Sequence, residues 1–203
     1  MSVTVDFRVL ELLCGRLCHE LISPVGAINN GVELLDEDDP EFVKEAMTLI
    51  AQSARRAGQR LQFYRFAYGT AGGSGSAVDA RELVQGLLEG GKVKLEWNVP
   101  QAYWPKDWAK LLMNATLLGS DCLPRGGLVK VDAESGAPRF RIHASGTVAR
   151  IAEEVERMLK GAEPSAPLDA RGIQPYLTHR LARSVHGALQ VKTGEGFVEI
   201  TAA

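Results

Sequence analysis

Long apolar runs are missing from this 203-residue chain. No stretch approaches the ~18 consecutive apolar residues that a membrane-crossing helix needs, so a helical membrane span is excluded. The opening residues, Met1 to Asp6, lack the basic start and apolar stretch of a secretory signal. Cysteine is scarce and odd in number, three in all, so no disulfide framework is expected. Together these absences set the expectation of a reduced, cytoplasmic protein. A basic excess is missing too. Lys and Arg number 23 against 25 Asp and Glu, leaving a formal charge of −2 with no basic stripe. That balance argues against a nucleic-acid grip built on backbone phosphates. What remains, 45% hydrophobic and 24% charged, is ordinary globular composition, able to bury a core.

One segment, Gly69-Thr70-Ala71-Gly72-Gly73-Ser74-Gly75-Ser76, reads as a linker because it has high backbone entropy and little to anchor it. It divides the chain into residues 1–68 and 77–203. The first part carries apolar residues at Leu10, Leu13, Leu17, Leu21, Val25, Ile28, Val32 and Leu35. Spacings of three and four make this an amphipathic helical seam that Pro24 bends without ending. Asp36 to Asp39 turn the chain, with Asp39 as cap and Pro40 in the first position of a second helix. The second seam passes through Val43, Ala46, Ile50, Ser53, Ala57, Leu61 and Tyr64. A lone hairpin of two such helices leaves apolar surface open, and the expected solution is a homodimer forming a four-helix bundle.

The second part alternates element types and reads as an α/β sandwich, so the fold class is α+β. Asp79-Ala80-Arg81-Glu82 has the form of a capping box opening a helix to about Gly90. A strand over 92–99, a helix over 105–122, strands over 128–134 and 139–144 with a turn at Gly136, and a helix over 148–160 follow. The last helix spans 173–185 and stops at Gly187, before a hairpin of 188–192 and 197–201 turned at Gly194-Glu195-Gly196. Trp97, Trp104 and Trp108 are expected to pack between sheet and helix.

His19 stands apart. It lies two residues from both Leu17 and Leu21, which turns its ring roughly 160° from the apolar seam. Gly15, Arg16, Ile22, Ser23 and Gly26 are its expected neighbours on that outward face, and the small residues leave room for another protein. Cys14, Cys18 and His19 do not make a zinc site, because the ring points about 100° from Cys18 and a structural zinc needs four ligands. His143, His179 and His186 have no carboxylate or serine at telling spacings and read as structural.

The string His19-Glu20-Leu21-Ile22-Ser23-Pro24 resembles the phospho-acceptor box of two-component histidine kinases, with Ile22 where arginine is usual. The wider run from Arg16 to Leu34, with Leu123-Pro124-Arg125-Gly126-Gly127 and Ile173-Gln174-Pro175-Tyr176-Leu177, resembles the ChpT family of alphaproteobacterial histidine phosphotransferases. The resemblance implies a phosphorelay intermediate. His19 would accept a phosphoryl group from the aspartate of one receiver domain and pass it to another, the partners being the receiver domains of a hybrid histidine kinase and of response regulators. Imidazole is largely neutral, hence nucleophilic, near neutral pH. Transfer through a loose transition state needs in-line positioning and charge neutralisation more than covalent help. The receiver would supply Mg²⁺, and this chain no cofactor or metal of its own. Glu20 would orient the ring or take its proton. Arg16, Ser23 and Gly26 would touch the receiver.

In the kinases the part after the hairpin binds ATP. Here Lys110-Leu111-Leu112-Met113-Asn114-Ala115 resembles an asparagine box, which makes Asn114 a candidate relic of a nucleotide pocket. In Ile142-His143-Ala144-Ser145-Gly146 the adenine-reading aspartate is replaced by Ala144, which offers no side-chain acceptor, and Gly146 marks the rest of that turn. The lid region around Gly172 has one glycine rather than several, leaving the phosphates no backbone cradle. The expectation is therefore a phosphotransferase without autokinase activity. A non-catalytic dimeric adaptor for response regulators and, behind it, an ATP-dependent histidine kinase are the alternatives.

Overall fold

The computed structural model describes residues 6–69, 77–100, 104–134, 138–164 and 167–203. Most of the expected linker and the Gly136 turn lie outside the described residues. Helix α1 (Phe7–Glu33) opens on Asp6, whose carboxylate accepts the Arg8 amide at 2.9 Å. Pro24 sits inside α1, buried, and the helix runs on past it. After a short turn of 3-10 helix over Leu34–Asp36, Asp39 accepts the Glu41 amide at 2.9 Å and caps α2 (Pro40–Tyr68), with Pro40 in its first position. The expected hairpin is there.

Its packed face differs from the seam. Leu12, Pro24 and Gly31 are buried on α1, while Leu10, Val25 and Val32 stand 46%, 46% and 52% exposed. On α2, Ala46, Ser53 and Tyr64 are buried as the spacing predicts, but Leu61 is 54% exposed. The apolar stripe is wider than one partner helix covers, and only one flank of it meets α2. At Gly31 the two backbones approach so closely that a Cβ there would lie 2.6 Å from Ile50 Cγ1 and 3.3 Å from the Ala46 carbonyl oxygen.

Helix α3 (Ala77–Leu88) leads into a five-stranded sheet. The strands are β1 (Val93–Asn98), β2 (Gly127–Ala133), β3 (Phe140–Ser145), β4 (Leu189–Gly194) and β5 (Phe197–Ala202), in the order β1-β2-β3-β5-β4. β1 pairs parallel with β2, and the other pairs are antiparallel. The parallel pair exists because α4 (Lys106–Asp121) crosses over between its strands. One face of the sheet, with Val129, Val131, Ile142, Ala144, Val198 and Ile200, is buried under the helices. The other carries Lys130, Asp132, Arg141 and Glu199, with ion pairs across neighbouring strands. Among the described residues no helix is long and apolar enough to cross a membrane.

Three boundaries correct the sequence reading. Asp79 lies in the first turn of α3 rather than ahead of it, so the expected capping box does not open the helix. Helix α5 (Glu153–Leu159) starts later than expected, because the Arg150 amide is bonded to the Cys122 carbonyl at 2.9 Å and Ala152 is extended. Helix α6 (Ile173–Ser184) ends through His186, which takes the left-handed conformation (φ 58°), while the Gly187 amide returns to the Ala182 carbonyl. The tryptophans fall as expected: Trp104 stacks on Phe140 and Trp108 meets the same ring edge-on.

A second apolar cluster joins the hairpin to the sheet-bearing part. Phe63, Tyr64 and Ala67 of α2 pack with Ala80 and Val84 of α3 and with Met113 and Leu117 of α4. Replacing Gly31 by valine should overpack the α1–α2 contact and destabilise the protein by about 1–3 kcal/mol. Thermal unfolding of Gly31→Val would read this as a lowered Tm, and an unchanged Tm would mean the helices can part at no cost.

Candidate functional site

His19 is exposed in the middle of α1, and among the described residues it has no hydrogen-bond or ion-pair partner. Its face is open. Ser23 is exposed, Ile22 is 71% exposed, and a Cβ added at Gly15 or Gly26 would meet nothing within 4 Å. Packing within this chain therefore does not require those glycines.

Glu20, the next residue, turns into the hairpin and pairs with Arg60 of α2, each side chain about one-third exposed. Arg16 departs from the sequence reading. Helical spacing predicts it on the outward face with His19, yet its side chain is only 16% exposed and its guanidinium lies 3.6 Å from Asp121 at the end of α4. Its Nε is buried without a hydrogen-bond partner. Arg16 thus belongs to the junction between α1 and the sheet-bearing part. Asp121 was missed by sequence reasoning. The available signal was an acidic residue at a helix C-terminus, where the helix dipole disfavours one.

Of the three candidate pocket residues, Asn114 and Ala144 are buried and Gly146 is half-buried. Asn114 is 1% exposed; its Nδ2 donates to the Lys110 carbonyl at 2.8 Å and its Oδ1 accepts from Gln174 Nε2 at 2.7 Å. Gln174, also 1% exposed, accepts in turn from the Tyr68 hydroxyl. Ala144 is fully buried on the helix-covered face of the sheet. Gly146 presses against the chain at Gly126 (φ +88°), whose carbonyl oxygen would lie 2.7 Å from a Cβ at position 146. Asn114, which in sequence resembles an asparagine-box residue, spends its amide inside the protein. In the sequence Gln174 is only one residue of the motif Ile173 to Leu177; its partner lies 60 residues away, and nothing local marks it.

The remaining candidates have structural places. Cys14 and Cys18 are exposed, whereas Cys122 is buried, its thiol pushed up to about 12 by burial and by the nearby Asp121. Among the described residues no group of three or more His, Cys, Asp or Glu is placed to hold a metal ion. His143 stacks on Phe197 and lies 3.5 Å from Glu199, and His179 Nδ1 lies 3.2 Å from the Leu159 carbonyl oxygen.

With Asn114 and Ala144 sealed from solvent, a fluorescent ATP analogue titrated with Mg²⁺ should show no saturable signal. Saturable binding that excess ATP displaces would mean this region opens.

Comparison with known proteins bears on what such a site does. The family described as the histidine phosphotransferase C-terminal domain matches residues 77–196. Protein phosphotransferase ChpT of Brucella abortus (strain 2308) is 40% identical over 190 residues, covering 90% of each chain. The solved 1.7 Å structure of a bacterial phosphotransferase matches with a TM-score of 0.85 and 35% identity, covering 100% of this chain and 98% of that one. On sequence and on structure alike, the chain belongs to the ChpT-type histidine phosphotransferase family.

Proposed function

We propose that this protein relays a phosphoryl group between receiver-domain aspartates through His19, without drawing on ATP. The observation that carries the reading is an exposed imidazole, without a partner among the described residues, on an open helix face. In the first step a neutral ring nitrogen attacks the phosphorus of an aspartyl phosphate. The N–P bond forms as the P–O bond to the aspartate breaks, and the carboxylate leaves. The second step reverses this onto the aspartate of another receiver. The receiver's acidic pocket brings the Mg²⁺ that neutralises charge on the moving group. Glu20, steadied by Arg60, is the acidic neighbour available to orient the ring or take up its proton.

In this reading residues 1–68 form the acceptor module, 69–76 the linker and 77–203 a docking module, all in the cytoplasm. Ser23 and Gly26 form the floor under the receiver, with Ile22 beside them. Arg16 is withdrawn from that floor by its bond to Asp121. The hairpin is half of a homodimer. An open apolar groove of about 560 Å³, lined by Leu13, Leu17, Leu21, Leu61 and Tyr64 among others, is the seat of the second copy. Leu17 and Leu21 lie roughly 160° around α1 from His19, so covering them leaves the imidazole outward.

Two tubes with Mg²⁺ test the relay. One holds the protein with labelled ATP, the other with a receiver domain carrying labelled phosphate on its aspartate. Label should reach the protein only in the second tube, and His19→Ala should take none while keeping the parent's Tm. Label from ATP alone would revive the kinase; receiver binding without label on the protein would favour the adaptor. For the dimer, sedimentation of the dilute protein should give twice the chain mass and Leu61→Glu a monomer. A folded monomer for the parent would refute the bundle.

A further inference from the structure

The hairpin and the sheet-bearing part meet through polar bonds as well as through apolar packing, and those bonds line up. Arg16, three residues before His19, pairs with Asp121 at 3.6 Å. Its charge lies near enough to Tyr64 and Tyr68 to oppose the rise that burial imposes on both hydroxyls. The rings of Tyr64 and Tyr68 stack at 5.6 Å, 8° from parallel. The Tyr68 hydroxyl donates to Gln174, and Gln174 donates to Asn114. The line therefore starts at α4, crosses to α1, passes along α2 and returns through α6 to α4.

We propose that this line, from Asp121 through Arg16, Tyr64, Tyr68 and Gln174 to Asn114, is a positioning device that sets the sheet-bearing part beside His19. The proposal rests on the relay reading above. Buried polar partners tolerate little displacement, because a donor or acceptor left unpaired away from water is costly. The buried Gln174–Asn114 bond reached from Tyr68 on α2, and the ion pair of Arg16 on α1 with the half-exposed Asp121, together fix a tilt that apolar contacts alone would let slide. Arg16–Asp121 ties the end of α4 to a residue one helical turn before His19, so the tilt decides what a docking receiver meets there. Asn114, which resembles a nucleotide-box residue, has become an anchor for that geometry. These residues position; none touches the phosphoryl group.

The test uses the full chain and the receiver that labels the parent in the two-tube experiment. The variants are Tyr68→Phe, Gln174→Glu and Asp121→Asn. Tyr68→Phe removes one hydroxyl and keeps the ring, so it guards against simple unfolding. Phosphoramidate, a small donor that needs no docking, should label His19 at the parent rate within about twofold, while transfer from the receiver shows KM raised about tenfold and kcat within about twofold. Unchanged KM in variants that keep the parent's Tm would overturn the proposal. So would an equal loss with phosphoramidate and receiver, since the effect would then act on His19 or on the fold. If no receiver labels the parent, the relay reading itself fails before any variant is made.

Discussion

Burial of α4 on all sides is the constraint from which the rest of the architecture follows. From Leu111 to Gly119 every residue of it is buried. A helix on one face of a sheet usually keeps a polar side in water. Here that side is covered by α3 and the last turns of α2, so Met113 and Leu117 serve the second cluster while Leu111, Leu112, Ala115 and Leu118 serve the first. The polar residues caught inside must then be satisfied internally, and they are: Thr116 bonds the Leu112 carbonyl, Asn114 the Lys110 carbonyl and Gln174. Lys110, at the edge, reaches the Gly69 carbonyl at 2.8 Å. The fused arrangement of hairpin and sheet is thus a consequence of one helix with no free side.

The same constraint accounts for the place of Asn114, which in sequence resembles an asparagine-box residue. An asparagine on such a helix serves a nucleotide only if its amide faces solvent. Here Gln174 meets the amide of Asn114 from α6, and Ala144 is fully buried on the helix-covered face of the sheet. Membership in the phosphotransferase family and the closure of this region agree without either being needed to explain the other.

Much of this was legible in the sequence because it depends on neighbours along the chain. Asp39 and Pro40 announce the start of α2, the three-and-four spacing announces both long helices, and His19 stands off the seam by simple helical arithmetic. What was not legible depends on distant partners. Nothing around Leu61 says that it faces outward, nor around Arg16 that it faces Asp121. Periodicity gives the direction of a side chain from its own axis, not what lies there. Gln174 was invisible for the same reason, and the parallel pairing of β1 with β2 depends on which way α4 carries the chain. The late start of α5 reflects a single backbone bond from Arg150 to Cys122. Apolar content alone would have carried the helix through.

The sheet order has a consequence for biosynthesis. β5, which follows the other four strands of this sheet in the chain, does not lie at an edge; it enters between β3 and β4. Until it arrives, β3 presents an open edge with Ile142 and Ala144 on its apolar face, the template on which strands of other chains pair. The α1–α2 hairpin closes from local contacts as soon as both helices exist. Each nascent chain therefore carries a folded helical segment ahead of an unfinished sheet, and its exposure to misassembly ends only when residues 197–202 are in place.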